Sequence, residues 1–163
     1  MTSNSSTERA PTRHRATSKT SALSLPVALI VLGLAYWCVD TTSPALAVIQ
    51  DDLKISATGA GLIVSLFFGG RLLANLPAAL AVDRLGPRST AAIGAVLLGG
   101  GSTLAAVAPD ERTLLPARAL QGAGVAFLAT AGLLSVLRQM PGSGKAMTAF
   151  NVSAGIGGSI GLM

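Results

Sequence analysis

Three charged residues stand inside long apolar stretches: Asp40, Arg71 and Arg118. A carboxylate in such a setting can hold and release a proton. Burial raises its pKa, a nearby guanidinium lowers it, and a movement that separates the two lets the acid pick up a proton. The neighbouring residues fit that work. Gly33, Tyr36, Asp40, Ser43 and Ala47 recur at helical intervals and share one face, a polar stripe in an apolar helix. Pro44 removes a backbone hydrogen bond one turn after Asp40 and predicts a kink. Arg71 and Asn75 share a face, and Gln121 follows Arg118 by three residues. The embedded charges do not balance, because one acid stands against two bases. Asp40 is the obvious partner of Arg118. The remaining positive charge is met by a further helix, by an anionic substrate, or by snorkelling to an interface.

Other chemistry finds little support. No nucleophile–base pair or metal cluster is legible, and the single histidine, His14, lies in a polar N-terminal stretch. An enzyme, a metal and a cofactor are therefore not expected. The single cysteine, Cys38, excludes an intrachain disulfide and a Cys-based zinc site. "GSGK" at 142–145 imitates part of a phosphate-binding loop, but Gln139 and Ala146 stand where that loop needs Gly and Ser or Thr. The net charge of +5 comes mostly from the first 19 residues and short connections, so no nucleic-acid partner is implied.

The elements that must position these residues are apolar. Half of the 163 residues are hydrophobic, only 12% are charged, and 19 are glycine. Soluble domains carry about 25% charged residues. Gly-, Ala- and Leu-rich runs suit helices packed closely in lipid. Residues 1–22 are Ser, Thr and Arg with almost no large apolar side chain and read as a disordered tail. Five hydrophobic segments follow, at about 24–50, 58–82, 89–108, 112–138 and 146–163. At 1.5 Å per residue each reaches roughly 27 Å or more, close to the hydrocarbon thickness of a bilayer. The predicted fold class is all-α, a polytopic transmembrane bundle. The basic tail, the apolar run 25–39 and the "ALA" at 45–47 imitate a secretory signal. Asp40 interrupts that pattern and four more spans follow, so cleavage is not expected. With the tail placed inside the cell, Arg9, Arg13, Arg15, Lys19, Arg84, Arg88, Arg138 and Lys145 fall inside and only Lys54 and Arg112 outside. That asymmetry predicts a cytoplasmic N-terminus in the cell membrane.

Two motifs carry a family resemblance. The connection after the second span reads Asp83-Arg84-Leu85-Gly86-Pro87-Arg88. It resembles the G-x-L-A-D-R-x-G-R-R/K signature between helices 2 and 3 of the major facilitator superfamily of secondary transporters. Asp83, Arg84, Gly86 and Arg88 match; Ala79, Ala81 and Pro87 depart from the pattern. In the fourth span, "RALQGAGVA" at 118–126 resembles the family's R-x-x-Q-G-x-G-x-A at every fixed position. The tail end "NVSAGIGGSIGLM" is similar to the fifth-helix pattern of drug/proton antiporters, with Gly158 and Leu162 in place of the expected Pro and final Gly.

The resemblance implies the first four to five helices of a 12- or 14-helix fold made of two halves. It implies a secondary transporter of a small solute, drug or metabolite, coupled to protons. Asp40, Arg118, Arg71, Gln121 and Asn75 would line the cavity. Asp83, Arg84, Gly86 and Arg88 would form a cytoplasmic latch, and Gly122, Gly124 and Ala126 would let helices pack closely. The implied partners are the solute, protons, the lipid bilayer and a C-terminal half of the transporter. A chain holding only the first spans is expected to be a fragment that does not transport alone. The alternative is a small membrane protein, or a defective truncation product, that acts through membrane interaction.

Overall fold

In lipid a backbone has no hydrogen-bonding partner but itself, and long runs of Leu, Ala, Val and Gly resolve that demand as helices. The structure, a computed structural model, describes residues 23–40, 42–141 and 144–161, with the backbone alone at 40, 42–45, 47 and 53. The expected tail, 1–22, lies outside the described residues. Those residues form six helices and no strand: α1 (Leu25–Asp40), α2 (Thr42–Leu53), α3 (Ala57–Leu85), α4 (Pro87–Ala106), α5 (Glu111–Gln139) and α6 (Gly144–Gly161).

The helix ends are written locally. Ser56 caps α3 by accepting from the Gly59 N–H at 3.1 Å. Asp110 caps α5, its carboxylate accepting from the Thr113 N–H at 2.9 Å and the Thr113 hydroxyl at 2.7 Å. These bonds hold the Asp110 carboxyl below the usual carboxylate range.

Helix covers the predicted first span, 24–50, as Leu25–Asp40 and Thr42–Leu53, and residue 41 between them lies outside the described residues. Pro44 has no N–H to donate to the carbonyl of residue 40. One connection differs from the sequence expectation. The predicted loop between the second and third spans shrinks to Gly86 alone. Asp83 and Arg84 are the last turn of α3, and Arg88 belongs to the first turn of α4. Gly86 has φ 83° and ψ 166°, a region open essentially to glycine. Its N–H donates to the Val82 carbonyl at 3.1 Å, and its carbonyl accepts from the Thr90 N–H at 3.1 Å. Pro87 opens α4 at the position where a missing N–H costs nothing. That is the structural sense of a proline where the family pattern has a basic residue.

Five spans were expected. Among the described residues, three helices are long and apolar enough to cross a membrane, α3, α4 and α5, and Leu25–Val39 forms a shorter apolar helix. In α5 half of the apolar window is buried, against 22% in α3 and in α4, which makes α5 the centre of the bundle. Helices α3 and α4 lie along it, α1 packs on it from another side, and α6 packs chiefly on α1. Large apolar side chains cover the outside, Leu73 at 80% exposure and Val96 at 74% among them. A water-solvated bundle would hide such residues, whereas lipid solvates them.

Candidate functional site

The site is built on α5, and close backbone packing sets it. A Cβ at Gly122 would strike the Phe67 carbonyl oxygen and come within 3.0 Å of the Arg71 nitrogen, so α3 can lie here only on a glycine. Two residues on, a Cβ at Gly124 would come within 2.5 Å of the Leu98 nitrogen on α4. The two glycines thus face different helices. Ala126, 1% exposed, is buried within the same stretch of α5.

One turn before this seam, Arg118 is buried at 9% exposure. Its position is seven residues into α5, about 10 Å along the axis. Nη1 donates to Gln121 Oε1 at 2.6 Å, and the guanidinium carbon lies 5.6 Å from the centroid of the Phe67 ring on α3. Gln121 is also buried, and its Nε2 donates to Ser102 Oγ on α4 at 3.1 Å. The amide therefore links the arginine to a neighbouring helix, and the second bond fixes which way the amide points.

Arg71 is half-buried on α3 and reaches α1. Its Nη2 donates to Tyr36 Oη at 3.4 Å, and its guanidinium carbon lies 5.4 Å from the Tyr36 ring centroid. Phe150 of α6 meets the same ring edge-on at 6.0 Å. The structure therefore gathers Arg118, Gln121 and Arg71 around α5. It leaves Asn75 exposed one turn beyond Arg71. Asp40 is the last residue of α1, one turn after Tyr36, and its side chain lies outside the described residues. Asp83, Arg84 and Arg88 are exposed at the far end of α3 and the start of α4.

Sequence reasoning did not anticipate Phe67 or Ser102, and it placed Tyr36 on the polar face without giving it a partner. Phe67 stands four residues before Arg71 and so shares its face. That spacing was the available signal. Ser102 had none, because only the packing of α4 on α5 brings it to Gln121.

The sequence pattern of the Major Facilitator Superfamily matches residues 28–163. The chain belongs to the major facilitator superfamily. Membership and the apolar helices together make it a multi-pass membrane protein. Among relatives in this superfamily, the chain is 38% identical over 125 residues to the puromycin resistance protein pur8 of Streptomyces alboniger, covering 73% of this chain and 24% of that protein. It is 34% identical over 125 residues to the MFS-type transporter EfpA of Mycobacterium tuberculosis, covering 73% of this chain and 23% of the relative. It is 32% identical over 130 residues to the multidrug resistance protein MdtM of Escherichia coli, covering 77% and 30%. The chain thus spans about a quarter of the length of these superfamily members. No solved structure matches it.

Proposed function

We propose that the chain is the opening part of a secondary transporter that moves a small solute across the cell membrane, with its N-terminus in the cytoplasm. The observation that carries the reading is the buried Arg118 on the central helix, held by Gln121 and stacked on Phe67. An arginine at membrane depth costs about 2.5–3.5 kcal/mol on the insertion scale, and such residues face a cavity and a partner. Alternating access then follows from two bundles rocking about a midplane site.

The coupling ion in this reading is the proton, and Asp40 carries it. While Asp40 and Arg118 are close, the guanidinium favours the ionised acid. A rearrangement that parts them lets burial win, and Asp40 takes up a proton. Arg71, Gln121 and Asn75 belong to the same cavity. Relatives named for puromycin and multidrug resistance support export of drug-like solutes. The exposed Asp83, Arg84 and Arg88 at the α3–α4 corner form the cytoplasmic latch against a second bundle.

The test is proton-driven uptake in inverted vesicles containing the full-length transporter. Asp40→Asn abolishes the response to a pH gradient while insertion remains near normal. Arg118→Ala does comparable damage, partly by leaving the acid buried and unpaired. Wild-type pH dependence in Asp40→Asn would place the coupling acid elsewhere and remove this reading of the site.

A further inference from the structure

Helices α1 and α3 both lie on α5 and make almost no direct backbone contact with each other. The seam between them has α5 as its floor and is bridged by side chains. Tyr36 and Arg71 form the bridge. Arg71 is the midpoint of the 29-residue α3, so its charge stands at the depth where lipid solvates it least. Both residues are half-buried, so the seam is open on one side. Exposed Asn75 follows one turn along α3. The bond to Tyr36 is long at 3.4 Å and engages one of the five N–H donors of the guanidinium.

The charge count of the spans gives this opening its sign. Asp40 is one acid against Arg71 and Arg118, so the membrane-embedded part of the chain carries one surplus positive charge when Asp40 is ionised. Arg118 sits within its own setting of Gln121 and Phe67. Arg71 faces the open seam. A guanidinium presents a planar fork that matches a carboxylate with two parallel hydrogen bonds. Tyr36 supplies an aromatic ring beside it, and Phe150 packs edge-on with that ring.

We propose that the α1–α3 seam is a binding subsite for the acidic group of an aromatic carboxylate. Arg71 grips the carboxylate, Tyr36 orients the guanidinium through its ring and hydroxyl, and the aromatic ring receives the flat body of the ligand. Asn75 lies one turn away as a second polar contact. This assignment rests on the transporter reading above and narrows its substrate class to solutes that carry a negative charge.

Trp37, the single tryptophan of the chain, follows Tyr36 in sequence and lines the neighbouring α1–α6 groove, near enough for a nitroaromatic ligand held beside Tyr36 to quench it. The chain in lipid nanodiscs is titrated with 4-nitrobenzoate, and in parallel with the cation 4-nitrobenzylammonium and the neutral 4-nitrobenzamide. Saturable quenching by the carboxylate alone is expected. Arg71→Gln weakens it by about tenfold or more, and Arg71→Lys recovers part of the loss. Tyr36→Phe keeps binding but loosens it, because the ring remains and the hydroxyl is gone. Circular dichroism and size-exclusion profiles show whether each variant is folded. Equal quenching by all three probes, unchanged affinity in Arg71→Gln, or no saturable quenching by the carboxylate overturns the proposal. The last result also covers neutralisation of Arg71 by an acid from another segment. Binding that survives while the pH-gradient assay fails overturns the transport reading alone, so the two failures are distinguishable.

Discussion

A single side chain can be asked what its surroundings do to its charge. Arg118 is expensive where it stands, and its neighbours show how the cost is offset. Gln121 accepts at 2.6 Å and is itself tethered to Ser102 at 3.1 Å, so a neutral amide spreads the arginine's demand onto a second helix. The sequence motif made Arg118 and Gln121 visible as a pair. It could not show Ser102, which stands 19 residues away and owes its place to packing. Asp110 shows the opposite environment, exposed at a helix start. Its carboxyl is lowered first by the Thr113 hydroxyl and then by the Thr113 N–H. A folded pKa below the unfolded value gives stability that is present above about pH 4 and lost as the pH falls through the folded value. The α5 N-terminus should therefore loosen in acid for a reason that Asp110→Ala removes. Midpoints of detergent-induced unfolding for wild type and Asp110→Ala should differ at pH 6 and converge toward pH 3. A constant difference across that range would show that the cap contributes nothing through its charge.

Helices meet where side chains vanish. Gly122 admits α3 and Gly124 admits α4, so two glycines spaced by two residues place α5 between two neighbours. The sequence displayed these glycines as part of a motif, and helical spacing supplied the idea of close packing. It did not say that they face different helices, since that depends on where α3 and α4 lie. The first span was legible as apolar, and helix runs over Leu25–Asp40 and Thr42–Leu53. The α3–α4 corner was legible in its residues and misjudged in its length, because Gly86 turns the chain alone through a positive φ. Gly122→Ala tests the packing account. The new methyl would meet backbone, which cannot step aside as a side chain can, so overpacking of about 1–3 kcal/mol is expected. The midpoint of detergent-induced unfolding should fall accordingly, while Gly99→Ala, which has open space around it, should leave it unchanged. Equal effects at both positions would show that helix propensity, not the α3–α5 contact, sets the response.

At the scale of the whole molecule, orientation and latch are separate consequences of one short corner. In the proposed topology Arg84 and Arg88 hold that corner in the cytoplasm, since carrying both across the bilayer would cost several kcal/mol. Asp83 cannot serve that purpose. It stands in the last turn of α3, where the helix dipole disfavours an acid, and it is exposed. An acid kept in an unfavourable place on one bundle makes sense when its partner comes from another bundle and only for part of a transport cycle. The residues should then separate by assay. Asp83→Asn in the full-length transporter should slow transport several-fold without changing topology, while loss of both arginines should scramble orientation. Topology is read by single-cysteine labelling after Cys38→Ser: position 110 should react from outside the cell and position 86 only after the membrane is opened. In the 163-residue chain alone, Asp83→Asn should leave insertion and the unfolding midpoint nearly unchanged, because the exposed carboxylate contributes little there. A large loss of stability in that short chain would mean that Asp83 is paired within the first bundle, and the latch between bundles would be the wrong account of it.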